Sequence, residues 1–322
     1  MCTYNGARYL GEQLESIASQ TRAPDELVIC DDGSSDETVQ IIRAFSAQSK
    51  FPVRLYVNEK NLGSTKNFEQ AIALCNQEII ALADQDDVWR ANKLEVIEDV
   101  FFNSPQTGLV FSDAELVGED LQPLGYSMWE KNGFDEGQKN LIKGGHALDV
   151  LLPGWTVTGA TIAFRAHFRE LLLPIPTHLP MIHDGWIAVM ISAVAEINFI
   201  NEPLIKYRQH AGQQIGAPAK RDEDEAAASE TDLNPIKAGM SRVNSYSDSL
   251  DVLKTIHQRL RANIKYEDAF SGVEGRLKHF TARASLPAGK LKRLPIVTRE
   301  LFAKRYHLYS KGVYSAAKDL LA

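Results

Sequence analysis

Short apolar runs, each closed by a polar turn and followed by an amphipathic stretch, fill roughly the first 113 residues, and this alternation limits the fold class more than any other feature of the chain. Glu26–Cys30 (ELVIC) reads as a buried strand. Asp31–Ser35 is its turn, and Val39, Ile42 and Phe45 mark one face of the next helix. Ser34-Ser35-Asp36-Glu37 has the S-x-x-E form of a capping box and is expected to start that helix. The scheme recurs as strand Val53–Val57, a Gly-containing turn at Asn61–Ser64, a helix over 65–75 and strand Glu78–Ala83, with a further helix over 7–20 ahead of them. Repeated strand–turn–helix units predict an α/β protein with a mostly parallel central sheet flanked by helices. The turns then gather at one sheet edge, where open α/β sheets bind ligands.

Val157–Phe164 is expected as a strand, His183–Ala195 as an apolar helix, and Glu196–Ile200 and Leu204–Tyr207 as two further strands. Acidic, Ala/Pro-containing sequence then predicts a solvated linker over 216–239, which separates an α/β domain over 1–215 from a helical, basic region over 240–322. Leu250, Leu253, Ile256 and Leu260 give helical spacing to 240–270.

At 322 residues and 44% apolar, the chain can bury a large core. Cys2, Cys30 and Cys75 form no CxxC pair, which argues against a disulfide scaffold and fits a reducing compartment. No run approaches the ~20 apolar residues of a membrane span, and Arg8, Glu12 and Glu15 do not suit a signal peptide, so the cytoplasm is expected. The net charge of −7 divides unevenly: residues 278–322 carry ten Lys/Arg against Glu300 and Asp319. The acidic remainder excludes nucleic acid as a general partner.

Two acidic clusters directly follow strands. Asp31-Asp32-Gly33-Ser34 suits a base or ribose, with Gly33 permitting the turn, but the same residues equally suit a helix cap. Asp84-Gln85-Asp86-Asp87 places three carboxylates together, where they repel unless a cation compensates them. Mg²⁺ or Mn²⁺ is the expected cofactor, with a solvated acidic loop as the bland alternative. Trp89, Trp155 and Trp186 lie beside polar motifs and suit either sugar stacking or the core. Gly144-Gly145 and Pro153-Gly154 mark the expected acceptor loop.

These motifs occur in a set order: Cys2-Thr3-Tyr4-Asn5-Gly6, Asp31–Asp36, Asn61-Leu62-Gly63, Asp84–Trp89, Thr158–Thr161, His183–Trp186 and Tyr207–His210. Over about residues 1–216 the chain resembles the family-two glycosyltransferases of GT-A fold, and among them the bacterial rhamnosyltransferase-like members. The resemblance implies a GT-A nucleotide-diphospho-sugar transferase fold with a C-terminal helical extension. It implies that Cys2, Thr3, Tyr4, Asn5, Asp31, Asp32, Gly63, Asp84 and Asp86 contact a nucleoside-diphosphate sugar. Asp86 and Asp87, with His210, would hold the metal, and Asp184 would be the catalytic base. Many members have Glu-Asp where this chain has His183-Asp184.

Inverting transfer needs one group to take the acceptor hydroxyl's proton, a role that one carboxylate can fill; Asp184 also suits a helix N-cap. His210 and Tyr207-Arg208 suit ordinary structural roles as well. The implied activity is transfer of rhamnose from a deoxythymidine-diphosphate donor to a lipid-linked or saccharide acceptor in cell-surface polysaccharide assembly. The alternatives are a sugar-nucleotide pyrophosphorylase and an inactive nucleotide-sugar-binding protein. Family members usually carry a buried strand ahead of the Thr-Tyr-Asn-Gly motif, so the natural start is expected upstream of Met1, with weaker donor binding in a shortened form. The aromatic, basic segment Leu301–Leu321 suits peripheral contact of 278–322 with the inner membrane face, or a helix docked on the body.

Overall fold

The computed structural model describes residues 1–153, 156–213 and 246–321, so Gly154, Trp155 and the expected linker over 216–239 lie outside the described residues. Two units emerge. One spans Met1–Thr177 and continues from Met181, and the other joins His178–Pro180 to the helices from Tyr246 onward.

In the first unit, β1 (Cys2–Thr3), β2 (Leu27–Asp31) and β3 (Val53–Val57) form a parallel sheet in that order. Helix α1 (Ala7–Ala18) turns Leu10, Leu14 and Ile17 onto Leu27 and Ile29, and α2 (Thr38–Gln48) adds Ile42 to the same core. This burial, at roughly 1.5–3 kcal/mol for each large side chain, holds the helices against the sheet. The expected capping box does not form. Helix α2 starts at Thr38, and Ser34 Oγ instead donates to Asp31 Oδ2 (2.6 Å) and accepts the Asn5 N–H (2.8 Å). After α3 (Ser64–Leu74) comes β4 (Ile79–Ala81), and beyond it the Cys2 N–H reaches the Ala83 carbonyl at 3.4 Å.

A second sheet contains β4, β5 (Val88–Trp89), β6 (Thr107–Val117), β7 (Pro123–Ser127), β8 (Ile162–Arg165) and β9 (Glu196–Arg208), in the order β4-β8-β6-β9-β5 with β7 on β6. Helix α4 (Lys93–Asn103) precedes β6. Helices α5 (Met128–Asn132), α6 (Glu136–Lys143) and α7 (Ala147–Leu151) precede β8, and α8 (Arg169–Leu172) and α9 (His183–Ser192) precede β9. Here only β6 and β9 pair in parallel, so parallel pairing covers β1–β2–β3 and β6–β9 while antiparallel pairs join the rest. An apolar run specifies burial, not the direction of its partner. The two strands expected over 196–207 are one strand. Its irregularity falls where Ser112 pairs with Ile200 but Asp113 with Pro203, which leaves Asn201 and Glu202 as a bulge.

A cavity of about 320 Å³ beside β1 lies between β2 and β4, lined by Met1, Leu27, Ile79, Ala81 and Trp89.

The second unit is helical: α10 (Tyr246–Arg261), α11 (Glu267–Ala284), α12 (Lys290–Phe302), α13 (Arg305–Tyr309) and α14 (Val313–Leu321). The helix expected over 240–270 is therefore α10 and the start of α11, separated by a 3₁₀ turn at Ile264–Tyr266. Val297, Tyr306 and Ala316 form a small core with Leu286, Leu301 and Leu320. The segment 301–321 is not one amphipathic helix, because Lys304 takes a left-handed conformation (φ 56°) that ends α12. Among the described residues no helix is long and apolar enough to cross a membrane.

Candidate active site

The N-terminal turn and the turn after β2 latch one another. Asn5 sits at φ 47°, the Ser35 N–H donates to its Oδ1 (2.9 Å), and the Gly6 and Ala7 N–H groups donate to Thr38 Oγ1 (2.8 Å) and Asp36 Oδ2 (3.1 Å). Gln85 ties the acidic loop to the same turn, accepting from Tyr4 N–H (2.8 Å) and donating to the Tyr4 carbonyl (3.1 Å). Gly6 is required for this approach, since a Cβ there would lie 2.2 Å from Gln85 Oε1.

A cavity of about 540 Å³ opens beside this junction. Of the residues singled out from sequence, Cys2, Thr3, Tyr4, Asp32, Gly63, Asp84, Asp86 and Asp184 line it. The loops after β2 and β4 and the start of α9 therefore meet at one site. Asp32 Oδ1 accepts from Asn58 Nδ2 and Leu62 N–H (both 2.8 Å) and Oδ2 from Gly63 N–H (2.9 Å), which fixes the turn before α3 while leaving a lone pair on Oδ2.

Four singled-out residues do not line the cavity. Asp31 is fully buried, and its carboxylate takes Thr3 Oγ1 (2.7 Å), Ser34 N–H (2.8 Å) and Ser34 Oγ, so it builds the turn. Asn5 supports the same turn. Asp87 points inward: Oδ1 accepts the Arg208 N–H (3.2 Å), while buried Oδ2 has no hydrogen-bond partner. His210 sits just behind, with Nε2 2.9 Å from Asp86 Oδ2 and its ring on Tyr9.

Electrostatics mark the cluster. Burial pushes the Asp84 carboxyl up to about 7, helped by the charges of Asp86 and Asp184. Burial also holds Asp87 well above the carboxylate range, with Asp86 and Asp84 adding to it. Behind them Lys93 is fully buried, and burial brings its ammonium down to about 7 against the opposing pull of Asp87 and Asp84. Its Nζ donates to the Ala160 carbonyl at 2.6 Å and lies 3.9 Å from the Trp89 ring centroid.

Asp184 is 8% exposed, with Oδ1 accepting Gly185 N–H (2.6 Å) and Oδ2 Gly159 N–H (3.1 Å). His183 also lines the cavity. Its ring stacks on Phe68 at 4.0 Å, burial lowers its pKa, and its buried Nδ1 has no hydrogen-bond partner. Burial thus favours the neutral ring.

Asp86 is the loop carboxylate that lines the cavity and has a second potential ligand beside it, His210 Nε2 at 2.9 Å from Oδ2, a contact that a bound cation would have to replace. No three His, Cys, Asp or Glu among the described residues form a ready-made metal cluster. A hard ion that takes most of its coordination from water and diphosphate oxygens needs only one or two protein ligands, so the donor set fits Mg²⁺ or Mn²⁺.

Sequence reasoning named His183 and Gly159 only as motif members, and Tyr207 as a residue suited either to closing the donor site or to ordinary packing; all three line the cavity. Gln85, Lys93 and Asn67, which donates to the Cys30 carbonyl at 2.8 Å, were not anticipated in their roles. Of the two roles open to the tryptophans, Trp89 and Trp186 take the core: both are buried, the latter donating to the Leu172 carbonyl at 2.9 Å. Arg208 is a buried clamp, donating to the Asp86 carbonyl at 2.8 Å and pairing with Glu12.

Comparison with known proteins bears on the family and the fold. Residues 1–146 match the family model described as glycosyl transferase family 2. An uncharacterised glycosyltransferase of Nostoc sp. is 27% identical over 246 residues, covering 76% of this chain and 71% of that protein. The dTDP-rhamnosyl transferase RfbG of Shigella flexneri is 26% identical over 227 residues, covering 67% and 74%. Among solved structures, residues 1–349 of S. aureus TarS in complex with UDP-GlcNAc superpose with a TM-score of 0.53 at 17% identity, covering 99% of this chain and 86% of that one. The shared fold is GT-A.

Proposed function

Since residues 1–146 match the glycosyl transferase family 2 model, we propose that the chain is an inverting transferase that moves a sugar from a nucleoside diphosphate to an acceptor hydroxyl. The observation that carries this reading is the meeting of Asp184 with Asp32, Asp84 and Asp86 in one cavity. Rhamnose from a dTDP donor is the favoured sugar, supported by the relative named a dTDP-rhamnosyl transferase. A lipid-linked or saccharide acceptor in cell-surface polysaccharide assembly, at the cytoplasmic face of the membrane, is the matching partner.

Asp184 is suited to take the acceptor's proton. Two backbone N–H groups fix its carboxylate, and each oxygen keeps a lone pair for the hydroxyl that attacks the anomeric carbon. Asp32, with the Thr3–Tyr4 backbone, borders the space for the nucleoside. Asp86 and His210 would hold Mg²⁺ or Mn²⁺, with Asp84 beside them. Such an ion supplies a Lewis acid for the charge that builds on the departing diphosphate. His183, neutral and fixed by Phe68, puts an uncharged ring where many relatives place a second carboxylate.

A pyrophosphorylase fits less well. It would need free N–H groups to cradle a triphosphate, and those of Tyr4, Asn5, Gly6 and Ala7 are all engaged by side chains. The test is release of nucleoside diphosphate from a panel of nucleotide sugars with added Mn²⁺. Transferase activity predicts metal-dependent release from one donor class, whereas binding of every donor without turnover would support a binding protein.

A further inference from the structure

Residues 278–322 contain two acids, and the structure turns both inward. Glu300 is 1% exposed and accepts from Arg305 Nε and Nη2 (both 2.8 Å), with His279 Nδ1 at 3.1 Å. Asp319 accepts from Arg283 (2.6 and 3.0 Å) and from the Tyr306 hydroxyl (2.7 Å). Lys290, Lys292, Arg299, Lys304, Lys311 and Lys318 all face outward. The exposed charge of this segment is therefore uniformly basic.

Apolar side chains share that surface without serving the core. On α12, Leu291 (89% exposed), Leu294 and Phe302 (89% exposed) fall on one helix face, with the half-buried Thr298 between the last two. Val297 and Glu300, on the opposite side, are buried. The helical spacing puts Lys290 on one flank of this apolar face and Lys292 and Arg299 on the other. Helix α14, which packs on α12, adds further exposed apolar side chains: Val313, Tyr314 and Leu321 are exposed while Ser315 and Ala316 are buried.

We propose that this surface of α12 and α14 is a peripheral membrane-binding face for anionic phospholipid. Leu291 and Phe302 enter the boundary between headgroups and acyl chains, and the flanking Lys and Arg meet the headgroup charge. The core of this unit is built on the other side of α12, so the outward Leu and Phe have no packing role to explain them. A protein partner would equally cover apolar residues, but a rim that is basic on both flanks with its acids withdrawn matches a uniformly negative sheet. The proposal is independent of the catalytic reading.

The test is co-sedimentation of the full chain with vesicles of mixed phosphatidylglycerol and phosphatidylcholine, against phosphatidylcholine alone. Binding is expected on the anionic vesicles, about tenfold weaker on the neutral ones, and lost at about 0.5 M salt. The double variant L291S/F302S should lower partitioning about tenfold at unchanged Tm and unchanged donor binding, because both side chains are exposed. K290E/K292E should do the same by charge alone, and keeps the test intact if the first variant folds poorly. Wild-type protein left in the supernatant with anionic vesicles, as a protein-docking face would give, overturns the proposal. So does undiminished sedimentation of both variants.

Discussion

Replacing Asp84 by Asn removes one ionisable group from the acidic loop and keeps its size, so it measures what confining that charge costs. In the fold the Asp84 carboxyl is raised from 3.8 to about 7, first by burial and then by Asp86 and Asp184. A raised value means that the folded state holds the proton more tightly than the unfolded chain. The stabilisation is full below 3.8 and is lost as pH rises to about 7. At 1.36 kcal/mol per unit, the loss between about pH 5 and pH 7 comes to about 2 kcal/mol. Water at the partly exposed side chain makes this an upper figure. Lys93, lowered to about 7, titrates above that window in wild type; because Asp84 helps to hold its proton, Asp84→Asn lowers it further, which adds to the widening of the gap between the two proteins as pH rises. At ~2–4 °C per kcal/mol, wild type should lose about 5 °C relative to Asp84→Asn between these pH values in metal-free buffer, read by differential scanning fluorimetry. Mn²⁺ should recover more of that loss at the higher pH, because the cation competes with the proton. A wild-type-minus-variant gap that stays constant with pH would refute the crowded-carboxylate account.

Gly159→Ala would put a Cβ 3.1 Å from His183 Nε2 and 3.8 Å from Asp184 Oδ2, so steady-state kinetics should show kcat down about 10²-fold with donor KM little changed. Lys93→Met leaves the Ala160 carbonyl without its donor and Asp87 without a facing cation; urea unfolding should show a loss of about 3 kcal/mol. His210→Ala should raise the Mn²⁺ concentration for half-maximal activity about tenfold, with the donor KM at saturating metal changed much less.

The strands and their acidic turns were legible because burial pattern and residue type carry them, while the meeting of Asp184 with Asp32, Asp84 and Asp86 was implied only by the family resemblance. Pair direction was not legible. β6, the spine of the second sheet, hides behind Ser112, Asp113 and Glu115, and Asp113 is tolerated there only because its carboxylate accepts the Ala114 and Trp129 N–H groups at 2.7 and 3.0 Å. The division of labour within each acidic pair was also invisible. Asp31 and Asp32 are neighbours on a strand end and point to opposite sides, so one builds the turn and the other lines the cavity. The same holds for inward Asp87 beside Asp86. Lys93 drew no attention because a lysine at the start of a helix reads as exposed, and only the packed structure shows it under the acidic loop.

The central claim is that Asp184 takes the proton from the acceptor hydroxyl. Asp184→Asn keeps the shape of the side chain and removes its basicity, and the decisive measurement compares transfer turnover with donor binding in that variant. The account predicts turnover down at least about 10²-fold with the donor dissociation constant within about twofold of wild type. Transfer at the wild-type rate would contradict it.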